Sequence, residues 1–235
     1  MKLTDLRRAL RRLADPERAA GALRFFKTGL GEYGEGDQFL GITVPLTRSL
    51  LPLSDDLTEM DVLALLHSEW HEERLLAALI LVRRFGKAAH DEAVRAHIVQ
   101  LYLANTEWLN NWDLVDSSAP QILGTWLLQR ERPVLRRLAK SKSLWEQRIA
   151  IVATQALIRD GQFDDTLGLC EHFLAHRHDL MHKACGWMLR EAGKRDGAVL
   201  KRFLDKHAVR MPRTMLRYAI EKLTTAERQH YLSAR

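Results

Sequence analysis

Cysteine is scarce in this 235-residue chain, which has two, Cys170 and Cys185. Both lie inside apolar helical patterns without the spacing of a metal-ligand set, so they read as buried core thiols, which fits a reducing cytosol. Long apolar runs are lacking as well. The longest, Leu75 to Val82, is too short to cross a bilayer, and the charged N-terminus, Met1 to Arg8, has no apolar segment of a secretion signal. No stretch alternates Val, Ile and Thr with polar residues, which argues against a sheet. No long linker or low-complexity tract interrupts the chain, so one domain spanning 1–235 is expected. The loop Gly34-Glu-Gly-Asp37 lacks the Lys-Ser/Thr of a phosphate-binding P-loop. The histidines, even His172, His176 and His178, form no complete ligand set, and no serine occupies a nucleophile elbow. Neither a metal nor a cofactor is therefore expected.

What remains is helix-forming sequence. Hydrophobic residues make up 46% of the chain, enough for a continuous core. A helical pattern recurs at Arg74, Asn111, Arg148 and Lys183, at intervals of 37, 37 and 35 residues. A period in that range marks stacked helix pairs, because one pair cannot bury its apolar face alone. The fold expected is all-α, a curved α-solenoid of antiparallel helix pairs. Three of the four copies carry a cation at the shared register, a ladder suited to a long anionic ligand.

The charge is lopsided. Residues 1–120 hold 14 Lys/Arg against 18 Asp/Glu, whereas residues 121–235 hold 22 against 12. A concentration of that size points to a polyanion. Along the chain, Leu3, Leu6, Leu10 and Leu13 form one face of a first helix. Asp15-Pro16-Glu17 reads as the N-cap, first-turn proline and first-turn acid of a second, running to about Leu30. Gly31 to Asp37 is a loop, since three glycines in six residues defeat a helix. Thr43-Val-Pro45 starts a third helix. Periodicity then places helices at 58–68, 71–85, 91–104, 108–129, 131–140, 143–160, 163–175, 178–194, 197–206, 212–222 and 224–232.

One constellation stands out. Trp112 and Asp116 are four apart and share a helix face. Arg148 and Lys183 occupy the matching register in the next two repeats, and Trp187 follows Lys183 by one turn. Stacked in parallel layers, these helices would bring Trp112, Asp116, Arg148 and Trp187 to one concave surface: two indoles and an arginine around one carboxylate. Read individually, each has a structural explanation, the tryptophans as core and Arg148 as the partner of Asp116. Trp108, Trp126 and Trp145 are core candidates, and Trp70 a helix-junction cap.

The segments Phe39-Leu-Gly-Ile-Thr-Val-Pro45, Trp112-Asp-Leu-Val-Asp-Ser-Ser-Ala-Pro120, Leu144-Trp-Glu-Gln-Arg-Ile-Ala150 and Lys183-Ala-Cys-Gly-Trp-Met-Leu-Arg-Glu191 occur in this order. With them the chain resembles the bacterial DNA alkylation repair glycosylases of the AlkD family, built from HEAT-like repeats. The resemblance places the family's catalytic aspartate on Asp116, its two lesion-side tryptophans on Trp112 and Trp187, and its arginine on Arg148. It implies hydrolysis of the N-glycosidic bond of cationic N3- and N7-alkylated purines in duplex DNA, through the backbone and without flipping the damaged base. An alkylated base leaves neutral and needs no general acid. What remains is positive charge on the deoxyribose, which a carboxylate beside the anomeric carbon stabilises.

Lys183, Arg190 and Lys194, with Arg48 after the third helix start, are candidate phosphate contacts. The expected state is a cytoplasmic monomer that binds double-stranded DNA and no membrane. The competing expectation is a non-catalytic HEAT-like module for branched or distorted DNA, or a scaffold for an acidic protein with its tryptophans in the core.

Overall fold

The computed structural model describes residues 2–233. The described chain is all-α, with fourteen α-helices, and its one β-type pairing is the isolated bridge between Gln38 and Trp70. It divides into two compact units, the first ending at Ser118 and the second beginning at Ala119.

The first unit holds α1 (Leu3–Arg11), α2 (Pro16–Phe25), α3 (Val44–Ser49), α4 (Glu59–Leu66), α5 (His71–Lys87), α6 (Glu92–Ala104) and α7 (Trp112–Asp116). Leu6 and Leu10 of α1 are fully buried, the two central positions of its expected apolar face. Asp15 caps α2 by accepting from the Arg18 amide at 3.0 Å, with Pro16 as the first helical residue. α2 stops at Phe25, short of the expected end near Leu30, because Lys27 adopts a left-handed backbone (φ 55°). A reciprocal capping box between Thr58 and Asp61 starts α4. α4 packs on α5, whose other neighbours include α3, the 3-10 turn Leu51–Ser54, α6 and α7.

The second unit begins with a π-helical turn, Pro120–Gly124, followed by α8 (Pro133–Ala139), α9 (Leu144–Arg159), α10 (Asp164–His172), α11 (Asp179–Arg195), α12 (Gly197–His207), α13 (Arg213–Ala219) and α14 (Thr225–Ser233). Its helices pack in pairs around α9 and α11. Ile149, Ile151, Val152 and Leu157 of α9 meet a core shared with Met181, Met188 and Leu189 of α11. Gly186 permits a close approach of α11 to α13: a Cβ there would lie 2.5 Å from the Met215 carbonyl oxygen. Cys170 and Cys185 are both buried in this unit and unbridged, as expected of core thiols.

The largest departure from expectation falls at 108–129, read as one helix. A 3-10 turn at Thr106–Trp108 is followed by extended backbone at Asn111, the five residues of α7, and the π-helical turn. Asn111 caps itself into the next element, its side-chain oxygen accepting from the Trp112 amide at 2.9 Å. Pro120 then removes a backbone donor.

Candidate functional site

In the first unit the site is built on α7, whose first residue is Trp112 and last is Asp116. One helical turn separates them, so they lie on the same face. Both are half-buried, which leaves part of each accessible. Between them Leu114 and Val115 are fully buried and anchor the helix in the core. Asp116 also acts on the interior. Burial pushes the Tyr102 hydroxyl well above its ordinary value, its bond to Ser118 Oγ at 3.0 Å opposes this, and the Asp116 carboxylate adds to the rise.

So short a helix has little intrinsic stability. Its position comes from a buried polar cluster that sequence reading missed. His71, the first residue of α5, lies with Nδ1 2.9 Å from Asp37 Oδ2 and Nε2 2.8 Å from Asp113 Oδ2. Asp37 comes from the Gly-rich loop, and Asp113 is the second residue of α7. Arg74 pairs with the other oxygen of Asp37, and Asn111 Nδ2 donates to Asp37 Oδ2 at 3.2 Å. His71, Asp37, Arg74, Asn111 and Asp113 are all buried. Burial alone would lower the His71 pKa, but the adjacent Asp113 and then Asp37 carboxylates reverse this and raise it to about 9. Burial likewise works against ionised Asp37, and its bonds to His71 and Arg74 keep its pKa below the usual value. The signal available in the sequence was a histidine and an arginine three apart at a helix start. Nothing local tied them to an aspartate 34 residues earlier.

An aromatic stack covers this cluster. Trp112 stacks on Phe26 (5.3 Å between centroids, 13° between planes), Phe26 on Phe39 (4.8 Å, 22°), and Phe39 on His71 (4.5 Å, 24°). Phe25, which is 65% exposed, meets Trp112 edge-on at 5.8 Å.

The next residue of α5, Glu72, fixes the segment containing Gly41. Its carboxylate accepts from the amides of Leu40 (2.8 Å), Gly41 (2.8 Å) and Ile42 (3.1 Å). Three successive amides converge because Gly41 has φ of 79°, where a side chain would also strike the Asp15 carbonyl. Glu73 pairs with Arg7 at 2.9 Å and Arg11 at 3.6 Å.

In the second unit Arg148 of α9 is buried and donates to the Leu180 carbonyl at 2.8 Å, at the start of α11. Trp187 of α11 is half-buried. Lys183 pairs with Asp179 at 2.8 Å, and Lys194 with Glu191 at 2.8 Å. Arg190 pairs with Glu221 and, at 3.5 Å, with Glu191, and only 18% of its side chain is exposed. Arg48, in the first unit, is exposed and has no ion pair among the described residues. Arg136, Arg137, Lys140 and Lys142, on and just after α8, are likewise exposed cations without an acidic partner among the described residues, and sequence reading did not single them out.

The expected cation ladder is therefore turned inward at three of its four rungs. Arg74 serves Asp37 and the Ser68 carbonyl, Asn111 caps α7, and Arg148 joins α9 to α11. Of the tryptophans read as core, Trp145 is buried, while Trp108 and Trp126 are half-buried against His67 and Arg130. Trp70 does occupy the residue before α5.

The family described as DNA alkylation repair enzyme matches residues 6–223. The chain belongs to that family. A solved structure, described as a predicted DNA alkylation repair enzyme from Enterococcus faecalis, shares the fold with a TM-score of 0.70 and 17% identity, over 90% of this chain and 97% of that one. No curated protein matches this sequence.

Proposed function

We propose that this DNA alkylation repair enzyme is a glycosylase that hydrolyses the N-glycosidic bond of cationic N3- and N7-alkylated purines in duplex DNA. The observation that carries the reading is α7: a partly accessible carboxylate and a partly accessible indole on one face, with the residues between them locked in the core. Asp116 stabilises the positive charge that develops on the deoxyribose as the bond to the base stretches, and orients the attacking water. The departing base is already cationic, so it leaves neutral without a proton donor. Trp112 borders the sugar; a cation over an indole face gains about 0.5–2 kcal/mol, which favours charged lesions.

Trp187 is assigned the second lesion-side indole and Arg148 a supporting role. Because Arg148 is buried and bonded to the Leu180 carbonyl, that role is to order its surroundings, and a phosphate would reach it only if it turned outward. Lys183, Lys194 and Arg48 contact the phosphate backbone. The exposed pairs of Lys183 and Lys194 are weak enough to exchange for phosphate. Arg190 joins them only on leaving Glu221. The protein acts as one domain and as a monomer, without cofactor or metal.

The test is release of 7-methylguanine from methylated duplex DNA by purified protein. Asp116→Asn keeps the shape and removes the charge; it should slow release by about 10²–10³-fold, the usual loss for one well-placed stabilising group. DNA binding should persist. Release by the variant at the wild-type rate would refute the assignment of Asp116. Salt-sensitive binding by the wild type with no release at all would favour the non-catalytic module.

A further inference from the structure

We infer that His71 is a positioning residue, gripping Asp37 and Asp113 at once so that α7 presents Trp112 and Asp116 in one fixed orientation. The inference rests on the glycosylase reading for its functional meaning and on the geometry of the first unit for its physical content.

The geometry allows few alternatives. Both ring nitrogens of His71 lie within 2.9 Å of carboxylate oxygens from two different segments. A carboxylate can only accept, so both contacts are hydrogen bonds only if both nitrogens carry protons. A neutral imidazole would turn a lone pair toward one carboxylate. Asp113 has no other side-chain partner among the described residues, and its neighbours on either side are Trp112 and Leu114. Loss of this bond frees the first turn of α7 at the residue next to the indole. Asp37 is held independently by Arg74 and Asn111, so it is the fixed end of the clamp and Asp113 the end released.

The groups facing His71 are few. Asp37 reaches it from the loop and Asp113 from α7. Phe26 and Phe39 cover its ring and carry no charge. On its own helix, Arg74 is engaged by Asp37, Glu72 by the amides at 40–42, and Glu73 by Arg7 and Arg11. With a pKa raised to about 9, the ring is charged at neutral pH and the clamp is closed; it opens as pH rises through that value. The charge on His71 thus contributes stability that is complete below the ordinary histidine range and is lost on the alkaline side.

The full-length protein, labelled with ¹⁵N at its indoles, tests this directly. The Trp112 indole resonance, assigned by its loss in Trp112→Phe, should move with a midpoint near pH 9 in the wild type. It should not titrate in that range in His71→Gln. In Asp113→Asn the midpoint should fall by roughly one unit or more, because one carboxylate no longer holds the proton. In parallel, His71→Gln should slow single-turnover release of 7-methylguanine by roughly 10- to 100-fold, the effect of a small misplacement, with DNA affinity unchanged. The wild-type rate should fall along the same alkaline midpoint as the indole shift.

A Trp112 resonance indifferent to pH in the wild type overturns the inference. So does a His71→Gln variant that melts earlier but releases base at the wild-type rate. Should that variant fail to fold, the wild-type pH series and Asp113→Asn decide. A wild type that releases no base refutes the glycosylase reading alone, since the indole titration still reports on the clamp.

Discussion

In the first unit, the groups buried at the start of α5 are His71, Glu72, Glu73 and Arg74, joined from elsewhere by Asp37, Asn111 and Asp113. In the second, the matching positions at the start of α9 are Trp145, Glu146, Gln147 and Arg148, of which Trp145 and Arg148 are buried while Glu146 and Gln147 stay half-buried, so Arg148 is alone there as a buried charge. The two halves organise backbone differently. Long helices of the second unit satisfy their own backbone groups and need only apolar faces that fit. The first unit must hold a loop, an extended segment and a five-residue helix, none of which is stable by propensity, and it does so with bonds of fixed direction. Apolar contact is non-directional. A buried polar network is more exacting about position, and costly when broken. Asp116 sits where direction matters.

Glu72 is the sharpest way to break the contrast. Glu72→Ala leaves three buried amides without their acceptor, and removal of one partner from a buried charged contact costs about 3–5 kcal/mol. Chemical unfolding should show that loss, with Glu72→Gln falling between variant and wild type. A cost below about 1 kcal/mol, the scale of one ordinary hydrogen bond, would mean that packing alone positions the segment around Gly41, as in the second unit.

The complementary test lies on α11. Mid-helix glycine is ordinarily worse than alanine by about 1 kcal/mol, so Gly186→Ala would stabilise a loosely packed helix. Here the added carbon would meet the Met215 carbonyl oxygen and Tyr218 Cβ, both at 2.5 Å. Backbone oxygen cannot swing aside. The expected result is a net loss of about 1–3 kcal/mol, the usual range for overpacking. A gain in the melting temperature would show that α11 and α13 are not as tightly fitted as the apolar unit requires.

The same contrast explains what the sequence disclosed. Expected 71–85, 143–160 and 178–194 became α5, α9 and α11 with ends moved by no more than two residues, because apolar periodicity over four turns is a strong signal. The span 108–129 has equally apolar composition, yet it breaks. Its break depends on Asn111 and on Asp113, whose partners lie in a loop and in α5. The nomination of Trp112 and Asp116 depended on their spacing within a single turn, and that turn exists. Arg74 and Arg148 looked alike at one repeat register, and both proved to have internal partners. Whether an arginine serves a ligand or a neighbouring segment is decided by residues distant in sequence, which periodicity does not report. The bonds of Glu72 to residues 40–42 were invisible for the same reason.

The smallest stability effects belong to the surface cations, and they separate the two units by charge instead of packing. Lys194→Ala removes an exposed pair with Glu191 and should change stability by less than about 0.5 kcal/mol. Its effect on DNA is different in kind. A lysine that neutralises one phosphate contributes about 0.9 to the slope of log affinity against log salt, so the variant's slope should shallow by that amount, equally for methylated and unmethylated duplexes. Arg48→Ala, in the acidic unit, should behave the same way if both units meet one duplex. A shallower slope for Lys194→Ala and an unchanged one for Arg48→Ala would confine phosphate recognition to the basic unit. The first unit would then be left with the task its buried ions suit, holding one carboxylate and one indole in place.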